Sequence, residues 1–364
     1  MIERIKLTNF KCFNSTQIEL RPLTILAGAN AVGKSTVIQA LILTDYTNRM
    51  GKKEGKERNS IDINDVFGFP VGAPNALVSQ NPQDTEAFDF SIDLYEEKNW
   101  YIYNYGIDRN FPLELRFENK KGLPKRNLQY LNAERVGPRV SNQAGKGEGI
   151  VFNGDNAAYL TEVADRTKRI IAEQLKGDIK ESNKFSYYVE KWMSAILGEM
   201  QLDIHTDYNK AITELRIKNE LVDAGIVPTL TGFGISYVLP IVVAGLWATG
   251  EEQSLLILEN PEAHLHPYAQ SNMGKFLALL AASGVQVIVE THSEHIIDGA
   301  RYQMAVMGAE EKAIVNFLES NEGNIRITPI FVSERGELSS WPKGFLDRKQ
   351  MDLRDIMMLR KKNV

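Results

Sequence analysis

Gly28-Ala29-Asn30-Ala31-Val32-Gly33-Lys34-Ser35 decides the reading of this chain. The octapeptide fills every fixed position of the G-x-x-x-x-G-K-[ST] phosphate-binding loop. Its flanks agree: Leu23 to Ala27 is a short apolar run of buried-strand type, and Val37 to Leu43 reads as a helix. The glycines let the backbone curl until successive N–H groups converge, and the helix N-terminus adds its positive end. A polyphosphate fits such a nest. Asn30, Ala31 and Gly33 line the loop, Lys34 reaches the β- and γ-phosphates, and Ser35, followed by Thr36, faces Mg²⁺. The chain is predicted to bind a nucleoside triphosphate together with Mg²⁺.

Two further strand ends complete the expected site. Leu255-Leu256-Ile257-Leu258 runs into Glu259, then Asn260-Pro261-Glu262-Ala263-His264-Leu265-His266-Pro267. An apolar strand ending in an acid places a carboxylate beside the phosphates, so Glu259 is the expected Mg²⁺ carboxylate. The strand Val285 to Val289 leads to Thr291-His292-Ser293, where His292 is placed to sense the γ-phosphate. Of the five histidines, His264, His266, His292 and His295 fall in these two motifs. A histidine-rich metal centre is the competing reading, but no cysteine or spaced carboxylate cluster supports it.

At 364 residues the chain has room for a large core, and 43% hydrophobic with 24% charged residues is ordinary for a folded protein. No apolar run is long enough to span a bilayer; the richest, Val238 to Ala248, is too short. A charged, strand-like N-terminus without a signal peptide and a single cysteine, Cys12, point to the cytoplasm and no membrane. The net charge of −5 gives no global case for nucleic acid. Basic residues cluster only at Arg49, Lys52, Lys53, Lys56, Arg58 and at Arg360 to Lys362, runs that serve equally as solvated faces.

The expected fold class is α/β, a P-loop head with a mixed sheet and flanking helices, bearing antiparallel β and helical insertions. The head covers 1–300, with a β/loop insertion at about 45–125 and a helical lobe at about 140–225. A β-hairpin and basic tail fill 301–364.

Together these motifs resemble the ABC-type ATPase heads of the SMC/RecF/OLD group. Within it the chain is similar to bacterial AAA family ATPases of OLD-like and phage-defence systems, without a Toprim nuclease domain. Leu7-Thr8-Asn9-Phe10-Lys11-Cys12-Phe13 is similar to the group's N-terminal L-x-N-F-[KR]-x-F strand, which implies Asn9 and Lys11 near the nucleotide. Residues 130–139 and the ending Gly336 to Asp347 resemble a subgroup with a C-terminal domain of unknown function. The resemblance implies a head-to-tail dimer in which ATP lies between one subunit's phosphate loop and the other's signature turn. Here that turn is Thr231-Gly232-Phe233-Gly234-Ile235-Ser236, with Gly232, Gly234 and Ser236 as nucleotide contacts; a glycine turn before an apolar helix is the plainer alternative. Arg135 is expected at the phosphates or in a structural ion pair.

Two departures bear on rate. Gly232 stands where the group carries a serine, and Asn260 stands where a general-base glutamate belongs. An amide orients water but does not take its proton, so slow hydrolysis is expected unless Glu262 substitutes. Catalytic candidates are therefore Glu259, Asn260, Glu262 and His292. The expected partners are a second copy or a higher oligomer and a separate effector such as a nuclease or toxin, with DNA as a further candidate. A RecF-like DNA-repair ATPase and an ABC transporter subunit are the alternatives.

Overall fold

The computed structural model describes all residues except 51–59, 68–70, 84–87, 109–112, 120–121, 146–147, 178–181, 221, 322, 346–347 and 363–364. The basic run Lys52 to Arg58 lies outside the described residues. In chain order the elements are β1 (Arg4–Phe10), β2 (Phe13–Glu19), β3 (Leu23–Gly28), α1 (Lys34–Met50), β4 (Ser60–Asp62), β5 (Phe90–Glu96), β6 (Asn99–Ile107), β7 (Glu114–Asn119), β8 (Asn127–Leu131) and β9 (Ser141–Gln143). There follow α2 (Ala157–Arg166), α3 (Phe185–Leu197), β10 (Gln201–Asp207), β11 (Ile212–Asn219), β12 (Val222–Ile226), α4 (Phe233–Thr249), β13 (Ser254–Glu259), α5 (Pro267–Ala282), β14 (Gln286–Glu290), α6 (Glu294–Met307), β15 (Ala313–Asn321), β16 (Asn324–Phe331) and α7 (Arg348–Lys362).

The central sheet runs β16-β15-β3-β14-β13-β8. Five of these strands are parallel and β16 turns back antiparallel on β15. Strands β3, β13 and β14 are apolar almost throughout because both faces are covered. Their alternation splits the interior in two. Ile25, Leu256, Leu258, Val287 and Val289 face the helical side with α2 to α6. Leu26, Leu255, Ile257 and Ile288 face α1 and a second, antiparallel sheet.

That second sheet, β2-β1-β5-β6-β7-β4, corrects one expectation. Residues 90–119, expected within a β/loop insertion, are strands of the head's own sheet: β5 pairs with β1 along five residue pairs, Arg4 with Tyr95 through Thr8 with Ser91. Their inward side chains, such as Ile92, Leu94, Tyr103 and Tyr105, fill the core beneath α1. Within the 140–225 segment α2 and α3 are followed by strand-like sequence at 203–217, and there β10, β11 and β12 form an antiparallel sheet to which β9 adds. The C-terminal hairpin is no separate unit either. β15 lies parallel to β3 from Ala313 opposite Leu23 to Leu318 opposite Gly28. For β5 and β15 alternation identifies the strand, but the strand it pairs with in the main body is remote in sequence. Beyond the hairpin, Phe345 is buried against Phe317, whereas every described side chain of α7 from Met351 to Leu359 is exposed. Among the described residues no helix is long and apolar enough to cross a membrane.

Candidate nucleotide site

Residues 28–33 join β3 to α1, and packing demands glycine at both ends of the loop. At Gly28 (φ +143°) a Cβ would lie 2.2 Å from the Leu318 carbonyl oxygen of the neighbouring strand. At Gly33 (φ +92°) it would lie 2.7 Å from Cys12 Sγ and 2.9 Å from the Phe13 ring. Both positions are therefore closed to other residues sterically as well as by φ. Asn30 and Ala31 are exposed at the loop's tip, and Ala31 is left-handed (φ +61°). The buried Lys34 folds back, its Nζ donating to Gly28 O at 3.1 Å and Ala29 O at 2.7 Å. Burial lowers its pKa, against the opposing pull of Glu290 and Glu262. The loop opens into a cleft of about 570 Å³ walled by Lys11, Lys34, Ser35, Thr36, Glu290 and the β15–β16 turn at Gly323.

The carboxylate that meets Ser35 is not the expected one. Ser35 Oγ donates to Glu290 Oε2 at 2.8 Å, and Lys34 Nζ lies 3.8 Å from Glu290 Oε1. Glu290 ends β14, the strand beside β3, and is paired in register with Glu259 at the end of β13, one strand further out. Sequence reasoning misses Glu290 although the same signal, an apolar strand closing in an acid, is present in Val-Ile-Val-Glu; the adjacent histidine draws the assignment instead. Glu259 accepts from Tyr130 Oη at 2.8 Å. Burial raises the Glu259 pKa, the Tyr130 hydrogen bond opposes this, and the charge of Glu290 adds to it. A folded-state pKa above the unfolded one means that ionised Glu259 destabilises the fold at pH values above both. We expect Glu259→Gln, which keeps an acceptor for Tyr130, to raise the melting temperature at pH 7.5. The gain should shrink as pH falls through the folded pKa and vanish below the ordinary carboxylate value, as thermal melts across pH would show.

The turn after β13 is held from several sides. Asn260 is left-handed (φ +46°), its N–H donates to Glu290 O at 2.9 Å, and its buried Oδ1 has no protein partner. Glu262 has both carboxylate oxygens engaged, by Thr291 Oγ1 at 2.7 Å and by the His292 N–H at 2.8 Å. The His292 side chain is exposed.

Arg135, expected at the phosphates or in an ion pair, is instead buried against backbone. Its guanidinium donates to Asn132 O, Glu259 O and Asn260 O at 3.0, 2.7 and 2.6 Å, and it lies 5.3 Å from the Tyr237 ring. Burial pulls its pKa down to about 10, so it keeps its charge at neutral pH. Asn9 also serves structure: it is buried and brackets Gln83 with two backbone hydrogen bonds, at 2.9 and 2.7 Å. Lys11 does wall the cleft, its Nζ 2.7 Å from Gln39 Oε1.

Gly232, Gly234 and Ser236 stand apart from this cleft, at the N-terminus of α4. Gly232 and Gly234 line a second cleft of about 450 Å³ with Leu197, Met200 and Ile235, and none of its walls comes from the phosphate loop. Thr231 Oγ1 is turned back to Pro228 O at 2.9 Å, while Leu230 and Phe233 project into solvent, 73% and 52% exposed. His264 is stacked on Phe233 at 5.1 Å and meets Tyr237 edge-on at 4.6 Å, a packing role for one of the four clustered histidines. Among the described residues no group of three or more His, Cys, Asp or Glu is placed to hold a metal ion.

The chain is similar to known proteins in sequence and in fold. The chain matches the family described as AAA ATPase domain over residues 1–131 and 155–297. Residues 309–356 match a family described as a protein of unknown function (DUF3696). The OLD nuclease of Thermus scotoductus is 21% identical, aligned over 88% of this chain and 65% of that protein. For the Old nuclease of Escherichia phage P2 the figures are 20%, 83% and 58%. The chain thus spans less than two thirds of the length of either. The Septu protein PtuA of Bacillus mycoides is 29% identical over 33% of this chain and 18% of its own. In three dimensions an SMC head bound to the C-winged helix domain of ScpA superposes with a TM-score of 0.52 at 12% identity, covering 92% of this chain and 98% of that one. The Pyrococcus furiosus SMC head with an extended coiled coil gives 0.54 at 10% identity, over 98% and 99%. The chain belongs to the AAA ATPase domain family and has the fold of an SMC head.

Proposed function

We propose that this ATPase closes head to tail with a second copy around two Mg²⁺-ATP molecules, and that closure holds or releases an effector protein. One observation carries the reading. The phosphate loop and the Gly232–Gly234 turn open into separate clefts of one chain. ATP on Lys34 therefore needs its second wall from elsewhere, and an exposed glycine turn at a helix N-terminus suits a γ-phosphate brought to it by another copy. Bound Mg²⁺ would neutralise phosphate charge, and Ser35 with a strand-end carboxylate would hold it. The direct test is the mass in solution: dimer, or a multiple of it, with Mg²⁺-ATP, and monomer without it. A mass indifferent to nucleotide would contradict the proposal.

Slow turnover follows from the same geometry. Asn260 supplies no base, and both oxygens of Glu262 are already committed to Thr291 and His292. We expect Asn260→Glu to raise the steady-state ATP turnover, toward the roughly 10²-fold lower end of general-base assistance. Turnover equal to the unaltered chain's would show that Asn260 does not limit hydrolysis.

The similarity to OLD nucleases and to the Septu protein PtuA supports a role in antiphage defence, in which the effector that closure holds or releases is a nuclease or toxin. A RecF-like role at DNA is the second reading, favoured if ATP induces a DNA shift that weakens steeply with salt.

A further inference from the structure

Resting on the ATPase reading above, we propose that Ser35 and Glu290 together are the direct protein ligands of the divalent cation that accompanies ATP. Glu259 is then not a direct ligand. The two oxygens concerned, Ser35 Oγ and Glu290 Oε2, are 2.8 Å apart. Octahedral Mg²⁺ with bonds of 2.0–2.1 Å sets adjacent oxygens about 2.9 Å apart, so one ion could take both with almost no movement of either. Mg²⁺ also prefers one or two protein ligands, with waters and phosphate oxygens completing its shell. A hydroxyl and one carboxylate on the wall of an open cleft meet that demand.

Position separates the two glutamates. Glu290 walls the nucleotide cleft and Glu259 does not. Glu290 sits on the strand next to β3, its backbone pinned by pairing with Leu26 and by the Asn260 N–H. Glu259 is a strand further away, with one oxygen held by Tyr130.

Charge follows the same logic. Without nucleotide, the buried Glu290 is balanced by Lys34 at 3.8 Å. When Lys34 turns to the phosphates, Glu290 loses that cation, and a buried carboxylate left alone is costly. A divalent ion between Glu290 and the phosphates restores the balance. The Ser35 proton that now bridges to Glu290 then turns to a phosphate oxygen or a water, while the hydroxyl oxygen faces the ion.

The test uses Mn²⁺ as the probe, followed by its electron paramagnetic resonance on the full chain with a non-hydrolysable ATP analogue. Glu290→Gln should weaken Mn²⁺ about 10–100-fold, Glu290→Asp should recover part of that, and Glu259→Gln should stay within about threefold of the unaltered chain. Binding of a fluorescent ATP analogue in EDTA should be at least as tight in Glu290→Gln as in the unaltered chain, because no lone carboxylate is then left beside the phosphates, and this shows that the site is still folded. Unaltered Mn²⁺ affinity in Glu290→Gln, or a larger loss in Glu259→Gln, would overturn the assignment. Failure of the unaltered chain to bind nucleotide at all would instead overturn the ATPase reading beneath it.

Discussion

Lys34→Ala should lower ATP turnover by about 10²–10³-fold, the loss typical of removing one preorganised charge at a transition state. In the empty site the Lys34 ammonium is buried and spends its hydrogen bonds on Gly28 O and Ala29 O. Burial has already been overcome by folding, so its turn toward the β- and γ-phosphates replaces two neutral acceptors with charged ones. Alanine deletes that gain and leaves Glu290 without its neighbouring cation. Lys34→Met, which keeps the aliphatic stem, should lose the same turnover with less damage to packing. Turnover of the two variants near that of the unaltered chain would mean that the phosphates bind elsewhere.

Arg135→Met should cost about 2–4 kcal/mol of stability, in line with leaving buried carbonyls unsatisfied. The guanidinium serves three carbonyls, those of Asn132, Glu259 and Asn260, and Met offers no donor to any of them. The effect should reach function as well. The Glu259 and Asn260 carbonyls fix the turn on which the strand-end carboxylate, Asn260 and Glu262 are arranged. We therefore expect turnover to fall even where denaturant melts show the variant fully folded. Arg135→Lys restores one charge but only a point donor for a forked site, and should recover less than half of the lost stability. A variant as stable and as active as the unaltered chain would show that the turn holds itself.

The central sheet is legible in the sequence because its strands are apolar on both faces and end in chemistry: the glycine loop, Glu259, and Thr291-His292-Ser293. What stays hidden are partners. Alternation in residues 90–105 announces strands, yet nothing local says that β5 pairs with β1, whose sequence lies some eighty residues earlier. The hairpin at 313–331 reads as an appendage because its place beside β3 is a long-range fact. Arg135 is read from its charge, whereas burial turns it toward carbonyls. Glu290 is readable in principle, as a second strand-end acid; only the strand order β3-β14-β13 reveals which acid stands next to Ser35.

A mixing experiment tests the composite site most directly. Gly232 has an ordinary φ of −68°, and a Cβ placed there would meet no atom within 4 Å, so Gly232→Asp should fold yet repel the γ-phosphate its turn receives, without a bulky side chain to hold two copies apart. Lys34→Ala instead disables the phosphate loop and leaves the turn intact. Each variant alone should be inactive. Mixed dimers carry one whole site, formed by the loop of one chain and the turn of the other. Random exchange makes half the dimers mixed, so an equimolar mixture should recover about a quarter of the unaltered turnover. A mixture as inactive as its components, with subunit exchange verified by differently tagged chains, would contradict the claim that each ATP is held between two copies.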